Sequence, residues 1–356
     1  MEKIINVKIL NKSYSILIGK NYLKKIKLLF KEKNLSQNIF IVVDKNVYKY
    51  HKDYINRSFE FAKKLQLVII DSTEKNKNLM TVEKIYSELI KNNFGRDTTI
   101  VGIGGGLIGD IAAYVASSYM RGISFVNIPT TLLAAVDASI GGKTGVNFSN
   151  IKNIIGTFYQ PDLVLNDSVF LSSLPEEEYL SGLGEVLKYK FITHKSFADS
   201  ALLKNNVQEL IGLSASVKAN IVMLDEKELS LRKVLNLGHT FAHAFESVLD
   251  FKIKHGVAVA AGITAASYLS RLENLISEKK LIEFLNEISK FNIHPQLKNV
   301  DEEEVYSLML SDKKNRDEKI KFVLPIDFGK IILDYEAAKI NVINSIKLVK
   351  FFFGPV

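Results

Sequence analysis

The stretch Thr98-Thr99-Ile100-Val101-Gly102-Ile103-Gly104-Gly105-Gly106-Leu107-Ile108-Gly109-Asp110 decides how the rest of the chain is read. An apolar, β-branched run breaks into glycines, and the glycines open a second apolar segment, Ile111 to Ala116. This is the order strand, tight turn, helix. Gly104, Gly106 and Gly109 match G-x-G-x-x-G in the context that pattern requires. Without side chains there, backbone N–H groups come close to a phosphate, and the helix N-terminus that follows favours negative charge. The plainer alternative is a tight βα turn with no ligand.

The acid that contacts ribose normally lies about twenty residues after the glycines, at the end of the next strand. Here the next strand-like run, Ser124 to Ile128, ends in Pro129-Thr130-Thr131 with no acid. An earlier run, Ile39 to Val43, ends in Asp44. The sequence therefore predicts a nucleotide across an α/β sheet whose strand order differs from the usual dinucleotide fold. Leu67 to Asp71 is another strand, followed by the polar loop 72–77 and an amphipathic helix from Met80 to Asn92 with Val82, Ile85, Tyr86, Leu89 and Ile90 on one face. Residues 1–18 alternate and read as a hairpin. Strands alternating with helices imply a parallel sheet whose ligands bind beyond the carboxyl ends of its strands. Asp44, the 72–77 loop and the 104–110 glycines should gather there.

The length of 356 residues suggests two domains. Beyond Pro175 the strand signal fades. Helical spacing covers Glu176 to His194, Phe197 to Leu224, Leu235 to Leu249, Val257 to Leu272 and Ser277 to Phe291, with short strands at Ile320 to Leu324 and Lys330 to Leu333. The expected boundaries are an α/β, Rossmann-like nucleotide-binding domain over 1–174 and a mostly α-helical metal- and substrate-binding domain over 175–356, with the active site in the cleft between them. Phe351-Phe352-Phe353 is expected to be buried packing. The formal net charge of +8 reads as a lysine-rich surface that also suits an anionic small substrate. No basic face alternates with aromatics as a nucleic-acid groove would. The absence of cysteine excludes disulfides and thiolate chemistry. The run Gly256 to Ala266 is too short to span a bilayer, and no signal peptide opens the chain. A cytoplasmic enzyme acting on a small molecule is expected.

Two clusters carry chemistry. Gly141-Gly142-Lys143-Thr144-Gly145-Val146-Asn147, followed by Lys152-Asn153, sets a lysine among glycines and amides, an anion cradle that lacks Walker A spacing. His239 and His243 are four residues apart, on one helix face; His255 sits at the start of another helix, and Glu185 is an acid among apolar neighbours. Two imidazoles and a carboxylate make a catalytic-zinc set with open positions.

With both halves in view, the chain resembles the 3-dehydroquinate synthase family of sugar-phosphate cyclases, nearly end to end. The motifs are Gly104 to Asp110, Tyr119-Met120-Arg121-Gly122, Pro129 to Ala134, Ser139 to Thr144, Phe158-Tyr159-Gln160-Pro161, Glu185-Val186-Leu187-Lys188 and Asn236-Leu237-Gly238-His239-Thr240. The resemblance implies an NAD- and zinc- (or cobalt-) dependent lyase of the shikimate pathway, serving aromatic amino-acid biosynthesis. It would turn 3-deoxy-D-arabino-heptulosonate 7-phosphate into 3-dehydroquinate and phosphate by transient oxidation at C5, phosphate elimination, re-reduction and aldol closure. It implies that Glu185, His239 and His255 hold the metal. Asp44, Glu74, Lys77, Gly104, Gly105, Gly106, Leu107, Ile108, Gly109, Asp110, Thr130, Thr131, Asp137, Lys143, Lys152, Phe170 and Ser173 would line the NAD site. Lys143, Asn153 and Lys188 would face the substrate phosphate, with Arg121 supplied by a second subunit of a homodimer. Lys218, Arg232 and Asn236 would face the carboxylate, His243 the substrate, and Lys313 or Lys314 would close over it. Gly184 where Ala is usual, Ala242 where Gly is usual and Ser173 where Thr is common are departures, each small-for-small. A metal-dependent NAD polyol dehydrogenase and another sugar-phosphate cyclase are the alternatives.

Overall fold

The computed structural model describes residues 2–10, 12–149, 151–193, 206–311 and 319–354. Lys313 and Lys314, and the parts of the expected helices at 194 and 197–205, lie outside them. The chain divides into two compact units, Met1–Pro175 with Val207–Lys227, and Glu176–Asn206 with Glu228–Val356. Thus 207–227, expected in the helical half, belongs to the α/β unit.

The first unit is built on a seven-stranded sheet. Its strands are β1 (Lys3–Lys8), β2 (Ser13–Gly19), β3 (Asn38–Asp44), β4 (Lys64–Ile70), β5 (Thr98–Gly104), β6 (Ser124–Pro129) and β9 (Leu163–Asp167), in the order β1-β2-β9-β6-β5-β3-β4. A separate short hairpin pairs β7 (Val146–Phe148) with β8 (Ile151–Ile155). Only β1 runs antiparallel, as the first half of the 1–18 hairpin. All seven residues of β5 are buried, as expected of a strand covered on both faces. The helices are α1 (Ile26–Glu32), α2 (Lys45–Ser58), α3 (Leu79–Lys91) and α4 (Gly106–Ser118). Val82, Ile85 and Leu89 of α3 are buried against the sheet core; Ile90, expected on that face, is 65% exposed.

From β3 the chain steps outward to β4, then returns across β3 to β5 and on to β6. The strand order reverses between β3 and β5, the place where open α/β sheets bind ligands. Residue pairs Val43↔Ile103 and Gly104↔Pro129 align the carboxyl ends, so Asp44, Gly104 and Pro129 share one edge.

The chain leaves this unit for α5 (Glu176–Ile192) and returns for α6 (Val207–Leu224). Among the described residues α6 alone is long and apolar enough to cross a membrane by composition, yet it packs on β1, β2 and the turn at 134–138, and carries Lys218 in an ion pair. Its apolar residues are thus accounted for by packing within the unit.

The second unit contains α5, α7 (His239–Val248), α8 (His255–Leu272), α9 (Glu278–Ser289), α10 (Glu302–Ser311), the hairpin of β10 (Phe322–Asp327) and β11 (Lys330–Tyr335), and α11 (Lys339–Phe352). The helix expected from Leu235 begins instead at His239. Gly238 takes φ +77, which ends the preceding short turn Leu231–Asn236 and starts α7 afresh. α8 is the centre, in contact with α5, α7, α9 and α11. Phe351, expected to be buried, is 83% exposed.

Candidate active site

In the α/β unit the glycine turn shapes an uncapped helix N-terminus. Gly105 precedes α4 and offers no side-chain cap, so the first N–H groups of the helix face the carboxyl edge of the sheet. The glycines are there for packing as well. A Cβ on Gly104 would lie 2.6 Å from Ile108, and one on Gly105 would lie 3.1 Å from Thr131. Asp44 caps α2 through Oδ1, which accepts from Val47 N at 2.8 Å, leaving Oδ2 as its other acceptor. Thr131 Oγ1 accepts from Ala134 N, while the Thr130 hydroxyl is buried with no partner. The chain then makes a π-helical turn, Ala134–Ala138, which carries Asp137.

The 72–77 loop and the β7–β8 hairpin are tied together by amides. Lys77, itself buried, donates to Asp110 Oδ2 at 2.6 Å and to Asn153 Oδ1 at 2.5 Å. Burial raises the Asp110 carboxyl above the ordinary range, and Lys77 opposes that shift. Asn147 donates to Glu74 Oε1 at 2.6 Å, and its own Oδ1 accepts from Asn153 N at 2.9 Å. Because lysine only donates, Lys77 fixes the orientation of the Asn153 amide and leaves Nδ2 as a donor. Lys143 and Lys152 are exposed on the same hairpin region. Asn147 was not singled out from sequence as a bridge between the two loops; nothing in its spacing marks it.

Lys218 Nζ lies 2.7 Å from Asp137 Oδ2 and 2.9 Å from the Asp137 carbonyl. The Phe170 ring is a core residue, edge-on to His51 at 5.1 Å and tilted on Tyr54 at 5.9 Å. Ser173 Oγ contacts His51 Nε2 at 2.7 Å, so its hydroxyl is engaged within the unit. Arg121 is exposed at the tip of a turn in which Met120, Arg121 and Gly122 all have positive φ (50, 66 and 114). Such backbone costs about 1–3 kcal/mol per non-glycine residue and persists only where the surroundings enforce it.

In the helical unit Glu185, His239 and His255 come together, and their ligand atoms all lie within 4.8 Å of one another. They are the only such group among the described residues. Glu185 Oε1 lies 3.4 Å from His255 Nε2 and 3.7 Å from His239 Nε2. Tetrahedral donors on bonds of about 2.0–2.1 Å stand about 3.3 Å apart, so this set is close to a ligating arrangement. The other carboxylate oxygen, Oε2, is ion-paired with Lys188, which leaves Oε1 to face the imidazoles. Both members of that pair are buried, so Lys188 is an interior group and not a surface lysine. His239 Nδ1 is 3.2 Å from the Leu237 carbonyl. Burial, with Lys188 nearby, lowers the His239 pKa well below its usual value. Burial would lower His255 too, but hydrogen bonds with Glu185 and Glu246 raise it to about 10. His243, one turn along α7, holds its ring 5.7 Å from that of His239 and 6.2 Å from that of His255, outside the ligand set. Arg232 is buried in the turn before α7, and Asn236 Nδ2 donates to Glu228 Oε1 at 2.9 Å. Glu228 was not anticipated; it follows no motif and enters only through folding.

The ligand-bearing helices meet through glycine. A Cβ on Gly184 would sit 1.8 Å from the Gly256 carbonyl oxygen, and one on Gly256 would sit 1.7 Å from that of Ser181. One on Gly262 would meet the Gly238 oxygen at 2.0 Å. Each contact adjoins a member of the metal set: Gly184 precedes Glu185, Gly256 follows His255 and Gly238 precedes His239. Gly184 is therefore not interchangeable with alanine here as a small-for-small change would be. Ser181 Oγ accepts from Gly256 N at 3.1 Å, and Lys254 donates to Glu178 at 2.6 Å, stitching the same crossing.

Two family models match in succession, 3-dehydroquinate synthase N-terminal over residues 67–181 and 3-dehydroquinate synthase C-terminal over 182–315. The chain belongs to the 3-dehydroquinate synthase family. A 3-dehydroquinate synthase of Pelagibacter ubique is 40% identical over 96% of this chain and 97% of its own length. One of Alkaliphilus oremlandii is 38% identical, with 96% of each chain covered. Among solved structures, 2-deoxy-scyllo-inosose synthase complexed with carbaglucose-6-phosphate, NAD+ and Co2+ superposes with TM-score 0.88 at 24% identity, covering 97% of this chain and 100% of that one. 2-epi-5-epi-valiolone synthase from Streptomyces hygroscopicus, with NAD+ and Zn2+ bound, gives 0.86 at 23%, covering 97% and 98%. Glycerol dehydrogenase of Schizosaccharomyces pombe has a more distant likeness, 0.65 at 15%, covering 94% and 88%. These three establish the shared fold.

Proposed function

We propose that the chain is a 3-dehydroquinate synthase, converting 3-deoxy-D-arabino-heptulosonate 7-phosphate to 3-dehydroquinate and phosphate. The observation that carries this is the family match over well over half of the chain, joined to a divalent-metal donor set in the unit that match assigns to its C-terminal part. The polyol-dehydrogenase reading has only the distant fold likeness behind it.

Glu185, His239 and His255 would hold the metal; two imidazoles and one carboxylate suit Zn2+ or Co2+. The uncapped α4 N-terminus, Asp44 Oδ2 and the unpartnered Thr130 hydroxyl suit the pyrophosphate and hydroxyl groups of NAD. When bound, NAD would supply a reversible hydride acceptor at C5 and the metal a Lewis acid at its oxygen. The chain's own residues would bind and orient. Asn153 Nδ2, aimed by Lys77, and Lys143 would donate to the substrate phosphate. Charge on that group grows as it departs, so fixed cations there favour the transition state. Lys188 would join them while its contact with Glu185 holds that ligand's outer oxygen. Lys218 and Arg232 would neutralise the carboxylate, with Asn236 beside them, and His243 would face substrate. Glu74, Lys152, Phe170 and Ser173 belong to the NAD region on this reading, the last two through the backbone of their turn. The enzyme would work as a cytoplasmic homodimer, with Arg121 offered to a neighbouring subunit.

The test is stoichiometric. With heptulosonate phosphate, zinc and limiting NAD, phosphate and 3-dehydroquinate should accumulate far beyond the NAD supplied. NADH formed one-to-one with consumed substrate would favour the dehydrogenase instead. Sedimentation of the purified protein tests the dimer.

A further inference from the structure

His255 is held from both sides. Its Nε2 faces Glu185, and its Nδ1 lies 3.4 Å from Oε2 of Glu246. Glu246 is on α7, seven residues after His239 and three after His243, so one helix face carries all three. The side chain is 7% exposed, and it reaches an imidazole that belongs to another helix, α8.

Charge explains why a carboxylate is needed there. Lys188 is ion-paired with the ligand Glu185, so this buried pair contributes no net charge. Two neutral imidazoles add none. A divalent cation in a buried site gains from a further carboxylate close to its ligands. Among the described residues Glu246 is a carboxylate that contacts the set without belonging to it. A carboxylate behind an imidazole also places the proton on Nδ1, leaves the Nε2 lone pair free and increases its basicity. His239 has the weaker form of the same device, a neutral backbone carbonyl at Nδ1.

We propose that Glu246 is a positioning residue for the metal: it holds His255 in the ligating tautomer and places a carboxylate directly behind that ligand. The inference rests on the reading of Glu185, His239 and His255 as the metal ligands.

The test is zinc affinity, measured by competition with a chromophoric chelator at fixed pH, alongside melting of the metal-free protein. Glu246→Gln keeps size and an acceptor oxygen but removes the charge; it should weaken zinc about 10- to 100-fold, whatever the change in melting of the metal-free protein. Glu246→Ala should weaken zinc at least as much, and in histidine-labelled protein the His255 nitrogen resonances should shift toward a mixture of tautomers. If Glu246→Gln binds zinc within twofold of the parent, the proposal is wrong, whatever happens to melting. A lower melting temperature with unchanged zinc affinity would mean a purely structural role. If the parent itself binds no zinc, the ligand assignment fails first and takes the proposal with it; His255→Ala, tested in parallel, separates these cases by abolishing binding only if that assignment holds.

Discussion

Lys218 Nζ stands 2.7 Å from Asp137 Oδ2, so a lysine proposed for the substrate carboxylate is already bound to an acid proposed for NAD. The two ligand sites thus share an ion pair. On that reading substrate arriving at Lys218 would compete with Asp137, and NAD engaging Asp137 would loosen its hold on Lys218. Lys218→Met should lower kcat/KM for the heptulosonate phosphate by about 100-fold, roughly 2.7 kcal/mol of transition-state stabilisation. NAD affinity by calorimetry should change less than tenfold. A variant with normal kcat/KM would remove Lys218 from the site.

Lys188 and Glu185 form a buried pair, and removing Lys188 takes from Glu185 the cation on its Oε2. Lys188→Ala should cost the metal-free protein about 3–5 kcal/mol. Zinc offers Glu185 a new partner, so it should raise the melting temperature of the variant more than that of the parent. Turnover should still fall sharply, because the phosphate loses a cation, while NAD affinity holds. An equal zinc effect on both proteins would show that the loss of the Lys188 cation is not felt.

The pH response of the metal-free protein follows from His255. Against burial, Glu185 and Glu246 raise its pKa to about 10, above the unfolded value of about 6.5. Its protonated form is therefore a stabilising contribution, fully present below about pH 6.5 and lost as pH rises through about 10. Zinc must displace that proton. Binding at pH 7.5 should release about one proton, seen as a binding enthalpy that depends on the ionisation heat of the buffer. An enthalpy independent of buffer would contradict it.

Gly256→Ala places a Cβ 1.7 Å from the Ser181 carbonyl, and backbone cannot swing aside as a side chain can. Overpacking of this kind costs about 1–3 kcal/mol. Melting of the metal-free protein should report that loss, and zinc affinity should fall with it because α5 and α8 must separate at Glu185 and His255. Gly184→Ala should act in the same direction. Unchanged melting in both variants would mean that the helices adjust freely.

The sheet was legible because β-branched runs of five to seven residues and the glycine turn after Ile103 are local signals. So was the candidate donor set, since His239 and His255 fall close together and Glu185 is an acid among apolar neighbours. What escaped depends on distant pairing. Helix Val207–Leu224 looks like any member of the helical half, and only its packing on β1 and β2 assigns it to the sheet. Glu246 continues the His239–His243 stripe, so an i+7 extension would have found it. The closeness of Gly184 to Gly256 has no sequence signature, because it involves two helices far apart along the chain.

The return of Val207–Lys227 to the α/β unit makes that unit discontinuous, with the chain crossing between units at 175/176, 206/207 and 227/228. No single cut can excise it whole. A fragment ending at Pro175 would bare the surface of β1, β2 and the 134–138 turn that α6 covers, and would leave Asp137 without Lys218. The α/β half is consequently not a cassette that could be expressed, swapped or shuffled by end-to-end fusion; it would travel only with its returning helix reconnected, as in a circular permutant or a two-piece complementation.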